Sequence, residues 1–276
     1  DVETCGIICY QAFRKIAETH NFRPDFPNAQ AAIELHQMLL DGPNIFNVVI
    51  EDDGRVIGSN HLAEFGPVSA VGPITVAPDA QGKGIGRLLM QAVLERGEES
   101  ESVRLVQDAF NTASMSLYAS LGFDVKEPLV LIEGVIEDEK ASVTTVDILK
   151  EEDIESCARL CKDVHGFDRT MELKHIPPFL KSFVARRDGR VVAYATAPNF
   201  WALNHAVAET EDDMHQLLIG AARLSDQPLS FLLPTRQSSL FRWCLQKGLQ
   251  VIKPMTLMAV GKYFEPRGVF LASVGY

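Results

Sequence analysis

The chain has 276 residues, with 26 Lys and Arg against 37 Asp and Glu for a formal charge of −11; 46% are hydrophobic and 23% charged. Those proportions suit a globular chain with one large core or two modest ones. They argue against nucleic acid as a partner, since no basic stripe is visible, and no apolar run is long enough to span a bilayer. The five cysteines, Cys5, Cys9, Cys157, Cys161 and Cys244, read as buried packing thiols of a cytoplasmic protein. No His or Cys pairs accompany them at metal-ligand spacing, so no metal is expected.

Taken in order, Val2 to His20 has helical periodicity and is broken by Pro24 and Pro27. Asn28 can cap a second helix through Leu39. Phe46–Ile50 and Arg55–Leu62 read as a hairpin turning at Asp53-Gly54. An apolar run, Ala70 to Val76, predicts a strand. The loop Val76-Ala-Pro-Asp-Ala-Gln81-Gly82-Lys83-Gly84-Ile85-Gly86-Arg87 follows it, and Leu88-Leu89-Met90 opens a helix to about Arg96. Val103–Ala109 is a strand, Ser114–Leu121 a helix closed by Gly122, and Val125–Ile132 the last strand of this half.

The second half repeats the first. Asp1-Val-Glu-Thr-Cys5 matches Asp153-Ile-Glu-Ser-Cys157 at an offset of 152, and Asp53-Gly54-Arg55-Val56 matches Asp188-Gly189-Arg190-Val191 at 135. Gly122 to Pro128 matches Gly248 to Pro254 at 126. Order is kept while the offset shrinks, so the second copy is shortened. We expect domains at 1–136 and 142–276, joined by a charged linker near Glu137–Ala141. The second copy has a strand-like run, Val143–Leu149, ahead of its Cys157 helix, which predicts a further first strand upstream of residue 1.

A strand, a glycine-rich turn and a helix start present bare backbone N–H groups and a positive helix end to an anion. Lys83 and Arg87 add charge, so the loop should hold a phosphate-bearing ligand. Its pattern resembles the acetyl-coenzyme A loop of the GNAT acetyltransferase superfamily. Downstream, Asn111-Thr-Ala-Ser114-Met-Ser-Leu117-Tyr118-Ala-Ser-Leu121-Gly122-Phe123 resembles that superfamily's second conserved segment. The resemblance implies an α+β fold with a mixed sheet, here two tandem GNAT-like acyltransferase domains. It implies acetyl-CoA as co-substrate and acetyl transfer to a primary amine of a small molecule or peptide. Gln81, Gly82, Lys83, Gly84, Ile85, Gly86 and Arg87 would hold the pyrophosphate. Ile74 and Val76 would lie along the pantetheine arm, with the Val76 N–H on the developing oxyanion. Asn111 and Ser114 would contact the same arm, and Tyr118 would be the general acid.

The family's strand carboxylate has no counterpart between Ser69 and Thr75. Glu64 is therefore taken as catalytic base, with His61 as a further candidate and Tyr276 worth checking. In the second copy the loop aligns with Thr210-Glu211-Asp212-Asp213-Met214-His215, and Asn111 and Tyr118 become Gln237 and Cys244. Glycines are gone and three carboxylates stand where a pyrophosphate would sit, so this copy is expected to be degenerate. Phe200, Trp201, His205 and the segment from Tyr263 to Tyr276 are candidate walls of an acceptor cleft, and Glu209 or Glu211 candidate attractors of an amine. The expected protein is a monomer or homodimer. Alternatives left open are a non-catalytic acyl-CoA sensor and an O-acyl or longer-chain acyltransferase.

Overall fold

The computed structural model describes residues 1–137, 144–167, 169–225 and 227–275. They divide into two compact units, residues 1–124 with 259–261 and 275, and residues 125–258 with 262–274.

In the first unit α1 (Val2–Thr19) turns Cys5, Ile8, Cys9 and Ala17 to the core. The Asn28 side chain accepts from the Ala31 N–H at 3.0 Å and starts α2 (Ala29–Asp41). Strands β1 (Ile45–Asp52) and β2 (Arg55–Glu64) form the expected hairpin. Asp53 and Gly54 turn it at φ 49° and 74°, the left-handed pair that a two-residue turn needs. The apolar run after the hairpin is two strands where one is expected. β3 (Val68–Val71) and β4 (Thr75–Val76) are separated by Gly72-Pro73-Ile74, where Gly72 has φ 126° and Pro73 has no N–H to give a ladder. Then come α3 (Ile85–Arg96), β5 (Ser102–Asp108) and α4 (Thr112–Ser120).

Alternate side chains of β2 separate the two faces of this sheet. Asn60 donates to the Leu89 carbonyl at 3.2 Å, so Gly58, Asn60 and Leu62 face α3. The Cys5 thiol hydrogen-bonds Ser59, and the His61 ring stands 5.1 Å from His36, so Ile57, Ser59 and His61 face α1 and α2.

The second unit begins at Val125, inside β6 (Asp124–Gly134), the strand that ends the first repeat in sequence. After β7 (Thr145–Ile148) it contains α5 (Ile154–His165), α6 (Thr170–Lys174), β8 (Phe183–Arg187), β9 (Arg190–Ala195) and β10 (Ala206–Ala208). It ends with α7 (Glu211–Leu224), β11 (Leu229–Pro234), α8 (Ser238–Gln246), β12 (Gln250–Gly261) and β13 (Val269–Leu271). β6 pairs antiparallel with β11, from Leu129↔Pro234 to Gly134↔Leu229. The packing boundary thus falls at 124/125, ahead of the charged stretch, because the hydrogen-bonding edge of β6 is met by a strand of the second repeat. Most of the expected linker, Val143 and the start of the expected second domain lie outside the described residues. A second sheet runs β13-β10-β9-β8-β7. Its core joins Val130 and Ile132 to Phe183, Val192, Met214, Leu217, Phe231 and Leu271. No described helix is long and apolar enough to cross a membrane, and all five cysteines are buried free thiols.

Candidate active site

The site is built where two strands part. β3 and β5 run parallel from Val68↔Ser102 to Ala70↔Arg104. Beyond that point the chain passes through Gly72-Pro73-Ile74, and β4 pairs with β2 instead. The Ala77 N–H bonds the Ile57 carbonyl at 2.8 Å, which makes Gly58↔Val76 a non-hydrogen-bonded pair. The N–H and C=O of Val76 therefore turn away from β2, toward the gap. Gln81 Nε2 donates to the Val76 carbonyl at 3.2 Å and folds the loop back on its strand. Arg55 holds Asp79 by two hydrogen bonds of 2.8 and 3.1 Å and ties the same loop to the hairpin turn.

Gly82 and Gly84 have φ 78° and 84°, and a Cβ on either would meet nothing within 4 Å. Their surroundings are open, and backbone conformation is what requires glycine. Gly84 is the N-cap of α3 with no side-chain cap, and the first turn holds no acid. Helix geometry leaves the first N–H groups of α3 pointing out of the helix without partners in it, a cradle suited to a diphosphate. Lys83 is exposed; Arg87 donates to Ser120 Oγ at 2.6 Å and links the helix start to α4.

On α4, Asn111 caps the helix by accepting from the Ser114 N–H at 3.2 Å. Tyr118 is 6% exposed. Burial raises its pKa to about 12, with the Asp108 charge adding to the rise and a hydrogen bond from Ser114 opposing it. The phenol is thus fully protonated at neutral pH. Two residues that sequence reasoning missed lie at the end of β5. Asp108, at the end of β5, is buried and close enough to act on Tyr118 electrostatically. Gln107 is 7% exposed, and neither Nε2 nor Oε1 has a hydrogen-bond partner among the described residues. Setting the halves side by side would have flagged both, since their counterparts are Pro234 and Leu233.

Glu64 and His61 do not join this group as bases. Glu64 pairs with Ser69, six residues along β2 from Gly58, so it lies about 20 Å from Val76 at ~3.3 Å per residue. It is held by Arg96, 3.0 Å away at the opposite end of α3 from the loop. His61 Nδ1 lies 2.6 Å from Asn47 Oδ1, and burial, with His36 beside it, pushes its pKa down to about 3. So weak a base cannot hold an amine proton at neutral pH. Tyr276 lies outside the described residues.

The second unit shows why its copy of the loop is different. Thr210 caps α7, its hydroxyl accepting from the Asp213 N–H at 3.2 Å and donating to Asp213 Oδ2 at 2.6 Å. Asp213 is fully buried and bonded by Arg187 at 2.8 Å. This helix start already carries its own anion. The gap beside β11 is filled too: β13 pairs with β10, and the Ala272 N–H bonds the Leu232 carbonyl at 3.0 Å. Gln237, the counterpart of Asn111, brackets Phe270 by accepting its N–H at 3.1 Å and donating to its carbonyl at 2.5 Å. Residues 269–271, expected to line an acceptor cleft, are instead a strand of this unit's own sheet. His205 is likewise internal, fully buried with Nε2 at 2.8 Å from the Tyr194 hydroxyl. Glu209 is bound by Arg190.

A mixed sheet parted beside a glycine-bounded helix start is thus present in two copies, of which one is closed. Residues 10–123 match the acetyltransferase (GNAT) family model. The whole chain resembles a solved protein of Pyrococcus horikoshii, proposed to be an acetyltransferase, with a TM-score of 0.79 and 14% identity over 100% of this chain and 92% of that one. It also resembles a tandem GNAT protein from the clavulanic acid biosynthesis pathway, with a TM-score of 0.55 and 13% identity over 92% and 94% of the two chains. At these identities the likeness is one of fold. A mycothiol acetyltransferase of Rothia mucilaginosa is 36% identical over 109 residues, 34% of this chain and 31% of that protein. The chain spans less than half the length of the curated relatives it matches.

Proposed function

We propose that the protein is an acetyl-CoA-dependent N-acetyltransferase acting on a primary amine of a small molecule or peptide, with its working site in the first unit. The observation that carries this reading is the parting of β4 from β5 with the Val76 N–H turned into the gap, directly ahead of an uncapped helix start. Acetyl-CoA, when bound, supplies an acetyl group already activated as a thioester.

The residues present fit that ligand. Backbone N–H groups of residues 82–86, with Lys83 and the α3 dipole, bind its diphosphate. Ile74 and Val76 flank the arm, and the Val76 N–H donates to the acyl oxygen as negative charge gathers there. Tyr118 holds a proton on its phenol oxygen for the departing sulfur; its raised pKa keeps that proton in place until it is needed. We assign the proton leaving the attacking amine to the carboxylate of Asp108, in place of Glu64. Attack is direct, and much of the rate comes from holding both reactants in line.

The test is a free-thiol assay over a panel of primary amines, run with wild type and Tyr118→Phe. Because the protein's own thiols are buried, the reagent reports released coenzyme A. Thiol release that depends on an amine, with the acetylated amine found by mass spectrometry, is the expected result. Coenzyme A binding without thiol release across the panel would favour a sensor.

A further inference from the structure

Gln107 is an amide without an explanation in the folded chain. Two polar atoms on a side chain more than nine-tenths buried lack hydrogen bonds among the described residues, which folding proteins rarely tolerate unless something else fills the need. Its position is defined by the strand. Val103 packs on Gly97 at the end of α3, where a Cβ would meet Val103 Cγ2 at 3.0 Å. Alternation along β5 then puts Leu105 and Gln107 on that same α3 face. Gln107 lies three residues beyond Arg104, the last residue of β5 paired with β3, and so beside the gap.

The second repeat supplies an internal comparison. An offset of 126 carries the ends of β5 and α4 onto those of β11 and α8, and carries Gln107 onto Leu233, which is fully buried. There the gap is filled by β13 and Ala272 after it, Gln237 meeting the peptide groups of Phe270 and Leu232 that of Ala272. The filled gap thus receives amides and has an apolar residue at this place. The open gap has a carboxamide with a spare donor and a spare acceptor.

We propose that the Gln107 carboxamide recognises an amide of the pantetheine arm, Nε2 donating to the amide carbonyl and Oε1 accepting the amide N–H. This rests on the acetyl-CoA reading above and adds a side-chain contact to it.

Calorimetric titration of the full chain tests it with two probes, coenzyme A and adenosine 3′-phosphate 5′-diphosphate, which has the diphosphate but no pantetheine. Gln107→Met is expected to weaken coenzyme A by about tenfold, the scale of a lost buried hydrogen-bonded pair. Binding of the fragment should stay within twofold, and the ligand-free melting temperature should not fall, since the variant removes unmet polar groups. Gln107→Leu repeats the measurement with the side chain that the second repeat buries. Unchanged coenzyme A affinity, or equal weakening of both probes, overturns the inference; so does failure of both variants to fold. Wild type that binds neither probe overturns the acetyl-CoA reading itself.

Discussion

Gly86 and Leu117 set how closely the first turn of α3 approaches α4, since a Cβ at Gly86 would stand 3.3 Å from Leu117 Cδ2. Gly84, two residues earlier, has open space around it but φ 84°. The two alanine substitutions should therefore act differently. Gly84→Ala costs about 1–2 kcal/mol of backbone strain and distorts the cradle, so coenzyme A affinity falls about tenfold. Gly86→Ala asks Leu117 to give by a few tenths of an ångström, and should cost stability with less than threefold change in affinity. Thermal melts and coenzyme A titrations of both variants separate strain from crowding. Equal affinity losses would contradict it.

Tyr118→Phe keeps the buried ring and removes the phenol proton that we propose for the leaving sulfur. We expect kcat to fall about 10²-fold or more while coenzyme A affinity stays within twofold. The tyrosine's pKa of about 12 further predicts that wild-type turnover shows no decline from loss of this proton up to pH 9.5. A variant with near-normal kcat would make the phenol a packing group.

The elements of the first half and the repeat itself could be read in the sequence because each rests on local chemistry. Asn28 and Asn111 are caps that advertise themselves, and Asp53-Gly54 has its twin in Asp188-Gly189, at φ 52° and 77°. Partnership between distant strands could not be read this way. β6 ends the first repeat, yet its edge is met by β11, and nothing local to residues 124–134 announces that choice. The insertion of β13 beside β10 is equally long-range. The place of Glu64 is long-range for a related reason: nearness in sequence to the glycine loop says nothing of the length of β2, which carries it about 20 Å away. Asp108 and Gln107 sit among ordinary strand residues and acquire meaning only when the strands part.

The assignment of the base separates two carboxylates. Asp108→Asn should lower kcat/KM about 10²-fold near neutral pH. Its rate should recover as pH rises and the acceptor amine loses its own proton. Glu64→Gln should leave turnover within twofold and cost no more than about 1 kcal/mol, since its ion pair with Arg96 is partly exposed. A pH–rate profile of the three proteins checks both statements; a loss at Glu64 equal to that at Asp108 would refute the assignment.

Acid should weaken both units through buried histidines. Burial, with His36 beside it, holds His61 at about 3, and burial, with Arg169 beside it, holds His205 at about 4. Unfolded histidine takes its proton near pH 6.5. As pH falls below that value the unfolded chain binds protons that the folded chain refuses, so stability drops by up to about 1.4 kcal/mol per pH unit for each histidine until about pH 4. Glu172 acts with the same sign at lower pH. Burial alone would raise its pKa, but Arg169 and His205 hold it at about 2, so its contribution is lost as pH falls from about 4.5 toward 2. Melting temperatures at intervals between pH 7.5 and 4.5 should decline steadily below 6.5, and a flat profile down to pH 5 would contradict this.

One chain should bind one coenzyme A. The start of α3 has neither cap nor acid, whereas α7 has Thr210 as its cap and Glu211, Asp212 and Asp213 in its first turn. Carboxylates there already satisfy the positive helix end and would repel a diphosphate, and β13 fills the adjoining gap. Thr210→Ala should therefore cost about 1 kcal/mol of stability, the usual worth of such a cap, with no change in coenzyme A affinity or stoichiometry. Gly84→Ala, in the other unit, should weaken binding at the single site. Calorimetry that returns two equivalents per chain, with one of them sensitive to Thr210, would restore the second copy as a working site.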